Sequence, residues 1–143
     1  MHTQRRFEVS LVCAVVFIFF VNHVGNHEGW FRSLWWLDVA LHLAGGVVLG
    51  AFFVYYFTVR TTTLPRGRLL STLLFAVGFA AIVGIAWEWY EFLADVFRYH
   101  RYAYNNFPGM VHYDTLTDLV NDLLGGFLGA LVTLRGGRKN VTE

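Results

Sequence analysis

Four stretches of the chain are apolar enough and long enough to cross a bilayer, and polar residues punctuate them. The first follows Arg5 and Arg6 and predicts a helix over about residues 7–24; further helices are expected at about 34–59, 69–94 and 115–134. Each offers the roughly 20 residues that a hydrocarbon core of about 30 Å requires. The first run reads as a retained helix rather than a secretory signal. It leads into Asn22, His23, Val24, Gly25, Asn26 and His27, which hold no small-residue cleavage pattern. Between the second and third runs, Pro65 and Gly67 within 60–68 predict a short turn joining antiparallel helices. No internal repeat or low-complexity tract interrupts the pattern. The expected architecture is all-α: one transmembrane domain over residues 1–143, with four transmembrane helices in an antiparallel bundle.

Composition narrows the class. Apolar residues make up 56% of the 143 positions and charged residues 15%, well below the quarter charged that is usual for soluble domains. Disorder, a collagen-like chain and a secreted disulfide scaffold are excluded, the last because Cys13 is the only cysteine. Basic residues set the orientation, since short loops rich in Arg and Lys stay cytoplasmic. Arg5, Arg6, Arg60, Arg66, Arg68, Arg135, Arg138 and Lys139 fall on one side, and Arg32, Arg98 and Arg101 on the other. Both termini are therefore expected in the cytoplasm and the loops 25–33 and 97–114 outside. Trp30, Trp35, Trp36, Trp87 and Trp89 collect at that outer boundary, where amphipathic rings prefer to lie. The net charge of +1 is spread over the loops, which argues against a nucleic-acid partner.

The acids carry the chemistry. Asp38, Glu88, Glu91, Asp95, Asp114, Asp118 and Asp122, seven of the ten, lie at or inside span ends. A charged side chain near mid-membrane costs about 2.5–3.5 kcal/mol on insertion scales and less toward the edge, so such groups face protein or water and find partners. With a rise of about 1.5 Å per residue, Asp38 lies about 7 Å and His42 about 13 Å below the outer end of the second helix. Asp118 and Asp122 lie about 5 and 10 Å below the outer end of the fourth helix, and Glu91 and Glu88 about 9 and 13 Å below that of the third. All fall in one slab of the outer leaflet. Asp38 and His42 are four apart, Glu88 and Glu91 three apart, and Asp114, Asp118 and Asp122 repeat every four, so each set shares a helix face. The same faces continue in Gly46 and Gly50, in Gly84, and in Gly125, Gly126 and Gly129, small residues that let helices approach closely. Like charges gathered that closely need a cation or shared protons. A Glu/Asp/His set inside a helix bundle is an established way to hold a divalent metal, with zinc, manganese, iron and magnesium all compatible.

Plainer roles stand beside these. Thr115 with Asp118 resembles a capping box, and Asp114 is placed to serve as a cap. Arg98 and Arg101 are placed to pair with Glu91 or Glu88 at the end of the third helix. His23 and His27 have metal-compatible spacing but fall in a solvated loop, and the 98–106 loop suits an interfacial anchor or a phosphate held by arginine forks. G-x-S-x-G, P-loop and H-E-x-x-H motifs are absent, and no serine has an adjacent base in sequence, which disfavours a serine hydrolase.

Asp38 and His42 followed by Gly45 and Gly46, then Trp87, Glu88 and Glu91, then Asp114, Thr115 and Asp118 leading into Gly125 and Gly129, resemble the YjdF-like family of small bacterial inner-membrane proteins. They are more distantly similar to the VanZ-like proteins associated with glycopeptide resistance. The resemblance covers about 34–134 and implies a multi-pass protein of the bacterial cytoplasmic (inner) membrane and a set of key residues, but no particular reaction. The VanZ-like pattern commonly has Gln where this chain has Glu91 and Asn where it has Asp122, which changes the net charge of the site.

The leading functional expectation is a metal-assisted enzyme acting on a membrane lipid or a lipid-linked envelope precursor. Asp38, His42, Glu88, Asp118 and Asp122 would hold a divalent ion, Glu91 and His42 would move protons, and bound water would be the nucleophile. A proton- or cation-coupled transporter or channel subunit, which with so few helices requires a homo-oligomer, is the first alternative. A non-catalytic envelope assembly or resistance factor is the second.

Overall fold

The computed structural model describes residues 2–64, 68–98 and 108–139, with side chains over 4–64, 68–98 and 111–136. Among the described residues five α-helices follow one another: α1 (His2–Glu28), the single turn α2 (Trp30–Ser33), α3 (Trp36–Val54), α4 (Leu69–Phe97) and α5 (Pro108–Lys139). A π-helical segment, Tyr55–Arg60, extends α3. Among the described residues there is no strand, and four helical segments are long and apolar enough to span a membrane: Gln4–Glu28, Trp36–Arg60, Leu69–Phe97 and Val111–Gly136. The chain is an all-α polytopic membrane protein. Below, "outer" denotes the end of the bundle bearing α2 and the start of α5.

The helices outrun the apolar runs that announce them. Glu28 ends α1 because Gly29 adopts a left-handed conformation with φ 72°, a helix stop that glycine makes without a Cβ penalty. The 25–33 segment is therefore largely helical rather than an open loop. The fourth helix starts at Pro108, seven residues before the expected Thr115, because proline suits the first helical turn, where its missing N–H is no loss. Asp114 and Thr115 thus lie inside α5 and are not its caps. Pro65, Arg66 and Gly67 of the expected turn, and most of the 98–106 loop including Arg101, lie outside the described residues.

Packing follows a four-residue repeat on three helices. On α3 the inward positions are His42, Gly46, Gly50, Val54 and, in the π-helical extension, Thr58; on α4 they are Thr72, Ala76, Ala80 and Gly84; on α5, Asp118, Asp122, Gly126 and Ala130. A Cβ at Gly46 would strike the Asp122 carbonyl oxygen, and one at Gly50 would strike that of Gly126. From the other side, Gly125 and Gly129 would strike the Leu43 and Val47 carbonyls. Contacts that advance together along both chains make α3 and α5 parallel neighbours in backbone contact, the arrangement that small-residue stripes permit. The α4 helix runs antiparallel to α5, with Gly84 against the Asp122 carboxylate and Ala80 against Gly126. Toward the inner end, Phe53, Val54, Ala76 and Ala130 form an apolar core, flanked by Phe57, Leu73, Phe79 and Leu134. The polar centre therefore sits on the outer half of a bundle whose inner half is closed by packing.

The first helix is attached more loosely. Only 6% of its most apolar stretch is buried, against 22–33% for the other spans. Near its inner end the Tyr55 hydroxyl donates to Glu8 Oε1 at 2.7 Å, and the Phe7 and Tyr55 rings lie 4.9 Å apart. Near its outer end Phe19 meets Trp87 edge to face at 5.3 Å.

Candidate metal centre

Three helices deliver acids to one imidazole. His42, only 4% exposed, is placed at the centre by the close approach of α3 and α5. Its Nδ1 lies 3.3 Å from Asp122 Oδ2 on α5. Its Nε2 faces three other carboxylates: Glu88 Oε1 at 3.6 Å and Glu91 Oε2 at 4.0 Å on α4, and Asp38 Oδ1 at 3.9 Å one turn back on α3. Asp118, 3% exposed, joins from α5. Ligand atoms of His42, Glu88 and Asp118 all lie within 4.8 Å of one another, as do those of Asp38, His42 and Glu91, and those of Asp38, Asp114 and Asp118. The sites expected from helical spacing are thus brought together, with exposed Asp114 at the rim and Asp122 at the floor.

The arrangement is polarised around the ring. A carboxylate that accepts a hydrogen bond from Nδ1 leaves the Nε2 lone pair free for an ion. Both His42 Nε2 and Glu88 Oε1 are buried with no hydrogen-bond partner among the described residues, a condition that costs about 1–3 kcal/mol per group if nothing fills it. Their separation of 3.6 Å exceeds a hydrogen bond. Two ligands each about 2.1 Å from one ion at a tetrahedral angle stand about 3.4 Å apart, close to what is seen. The donor set, one imidazole and several carboxylates, suits a borderline or hard divalent cation.

Asn22 escapes a search for charged residues. It is 9% exposed; its Nδ2 donates to Glu91 Oε1 at 3.4 Å, and its Oδ1 accepts from Asn26 Nδ2 at 3.1 Å. The signal available in the sequence was Asn22 and Asn26 four apart at the outer end of an apolar run, so that both fall on one face. Asn22→Leu should lower the stability of the detergent-solubilised protein by about 1 kcal/mol, the scale of a hydrogen bond between membrane helices, while leaving ion content unchanged. A melting curve with parallel metal analysis checks both. His23 and His27 stay apart from the centre: both are exposed, and His27 Nδ1 meets Glu28 Oε1 at 2.8 Å on the surface.

Comparison with known proteins adds a family and no activity. No curated protein and no solved structure matches the chain. A family described as "Predicted membrane protein (DUF2238)" matches residues 1–139, and the chain belongs to that family.

Proposed function

We propose that the His42 centre binds one divalent cation and uses it on the headgroup of a membrane lipid or lipid-linked envelope precursor, in the bacterial inner membrane. The observation that carries this reading is the division of labour on His42: Nδ1 rests on Asp122 while the buried Nε2, with no hydrogen bond among the described residues, faces carboxylates from two helices. A carboxylate on the far nitrogen is how metal-binding histidines are oriented and made more basic. In this reading Asp122 orients the ring instead of serving as a ligand; His42, Glu88 and Asp118 bind the ion, with Asp38 beside them. The ion supplies Lewis-acid activation of a phosphoryl or carbonyl oxygen. Glu91, 30% exposed and held by Asn22, stands at the mouth as the group that takes or returns a proton. The narrower YjdF-like and VanZ-like likeness rests on these same residues and fits a shared centre.

The transport alternative requires a polar route toward the inner end. Below His42 the cavity wall is Gly45, Val48, Leu49 and Val83, which favours chemistry at the outer face over passage across it. Metal analysis of the purified protein tests the proposal. The expected result is about one divalent ion per chain, lost in Asp118→Ala. A wild-type protein without stoichiometric ion, or an Asp118→Ala protein with unchanged content, contradicts it.

A further inference from the structure

The centre is the polar end of a longer cavity. A space of about 150 Å³ descends from Asn22, Asp38, His42 and Asp122 between α1, α3 and α4. On α3 its wall runs from Asp38 to Leu49, about 16 Å at 1.5 Å per residue. The lining therefore follows the helices over about three turns. Away from the polar end the lining is Val15, Ile18, Val48, Leu49 and Val83, an apolar surface that gains by being covered with hydrocarbon. The cross-helix hydrogen bonds of α1, Glu8 with Tyr55 and Asn22 with Glu91, lie near its two ends with the cavity between them. The stretch of α1 between them is thinly covered.

We propose that this cavity seats a single hydrocarbon chain of a membrane amphiphile, whose polar head then lies at His42. The inference deepens the reading of the centre as lipid-directed and rests on it for the role of the head. Occupancy of the seat itself follows from the lining alone. An elongated apolar seat ending at a buried imidazole aligns the first polar atoms of a chain-bearing molecule with the acids, and it selects for a chain instead of a soluble headgroup.

Gly45 supplies the test. It lines the cavity, and a Cβ added there meets nothing within 4 Å, so Gly45→Leu fills the seat without moving backbone. Gly78 is equally open but exposed on another face, so Gly78→Leu is the control. The probe is hexadecanol with a mid-chain diazirine, photolysed on the purified protein, with labelled peptides mapped by mass spectrometry. Labelling at Val15, Ile18, Val48 or Leu49 is expected, competed by excess plain hexadecanol. It should fall by about tenfold or more in Gly45→Leu and in a second occluding variant, Val48→Phe, and remain unchanged in Gly78→Leu. Labelling of wild type that plain hexadecanol does not compete, or equal labelling in both folded occluding variants, overturns the proposal. Metal analysis of the same samples separates the two readings. Ion present without competed labelling sinks the chain seat alone, and competed labelling retained without ion sinks the metal centre alone.

Discussion

Gly46→Leu is expected to destabilise the bundle by about 3 kcal/mol or more, while Gly45→Leu, one residue earlier, leaves stability within about 0.5 kcal/mol of wild type. The difference lies in what each new side chain meets. At Gly46 the first added carbon would fall on the Asp122 carbonyl oxygen and lie 2.9 Å from the Gly126 nitrogen. Those are backbone atoms of a neighbouring helix, so α3 and α5 must separate. At Gly45 the space is open, and replacing a mid-helix glycine recovers up to about 1 kcal/mol of backbone entropy that offsets any ordering of the new side chain. Separation of α3 and α5 also draws Asp118 and Asp122 away from His42, so Gly46→Leu should lose its ion as well as its stability. Thermal unfolding in detergent, with metal analysis before heating, measures both effects. Equal melting temperatures for the two variants would contradict the packing described here.

The adjacent pair Gly45 and Gly46 also marks where the sequence stops being informative. Four spans were legible because membrane helices must bury or lipid-face about 20 apolar residues, and the acids were legible because charge inside a span is costly. The four-residue spacing of Asp38 with His42, and of Asp114, Asp118 and Asp122, placed each set on one face, and those faces do converge on one ring. Spacing along one helix, however, says nothing about which partner helix a face meets. Asp122 stands on the opposite nitrogen of His42 from Glu88 and Glu91, a distinction set by how α5 seats against Gly46 and Gly84. Asn22 is neutral and so carries no charge signal, although its helix brings it to Glu91. The early start of α5 at Pro108 followed no apolar signal at all, since His112, Tyr113 and Asp114 are polar or amphipathic.

Removal of the imidazole should have the largest effect on the centre. His42→Ala is expected to abolish stoichiometric ion binding, because it takes away the one nitrogen ligand and the group through which α3, α4 and α5 meet. Asp122→Asn should behave differently. An amide still accepts from Nδ1–H through its oxygen, so the ring keeps its place, but the loss of charge lowers its basicity. Outer-shell changes of this kind weaken metal affinity by about 10–100-fold. Titration of apo protein with zinc or manganese should therefore show weakened but saturable binding in Asp122→Asn and none in His42→Ala. Equal losses in the two variants would mean that Asp122 is itself a ligand.

The most direct measurement is an anomalous-scattering map from crystals of the zinc- or manganese-loaded protein, collected at the metal edge. The account predicts a single peak about 2.0–2.2 Å from His42 Nε2 and from carboxylate oxygens of Glu88 and Asp118, with Nδ1 still on Asp122. No peak at the ring, or a peak only among Asp38, Asp114 and Asp118 away from it, would contradict it.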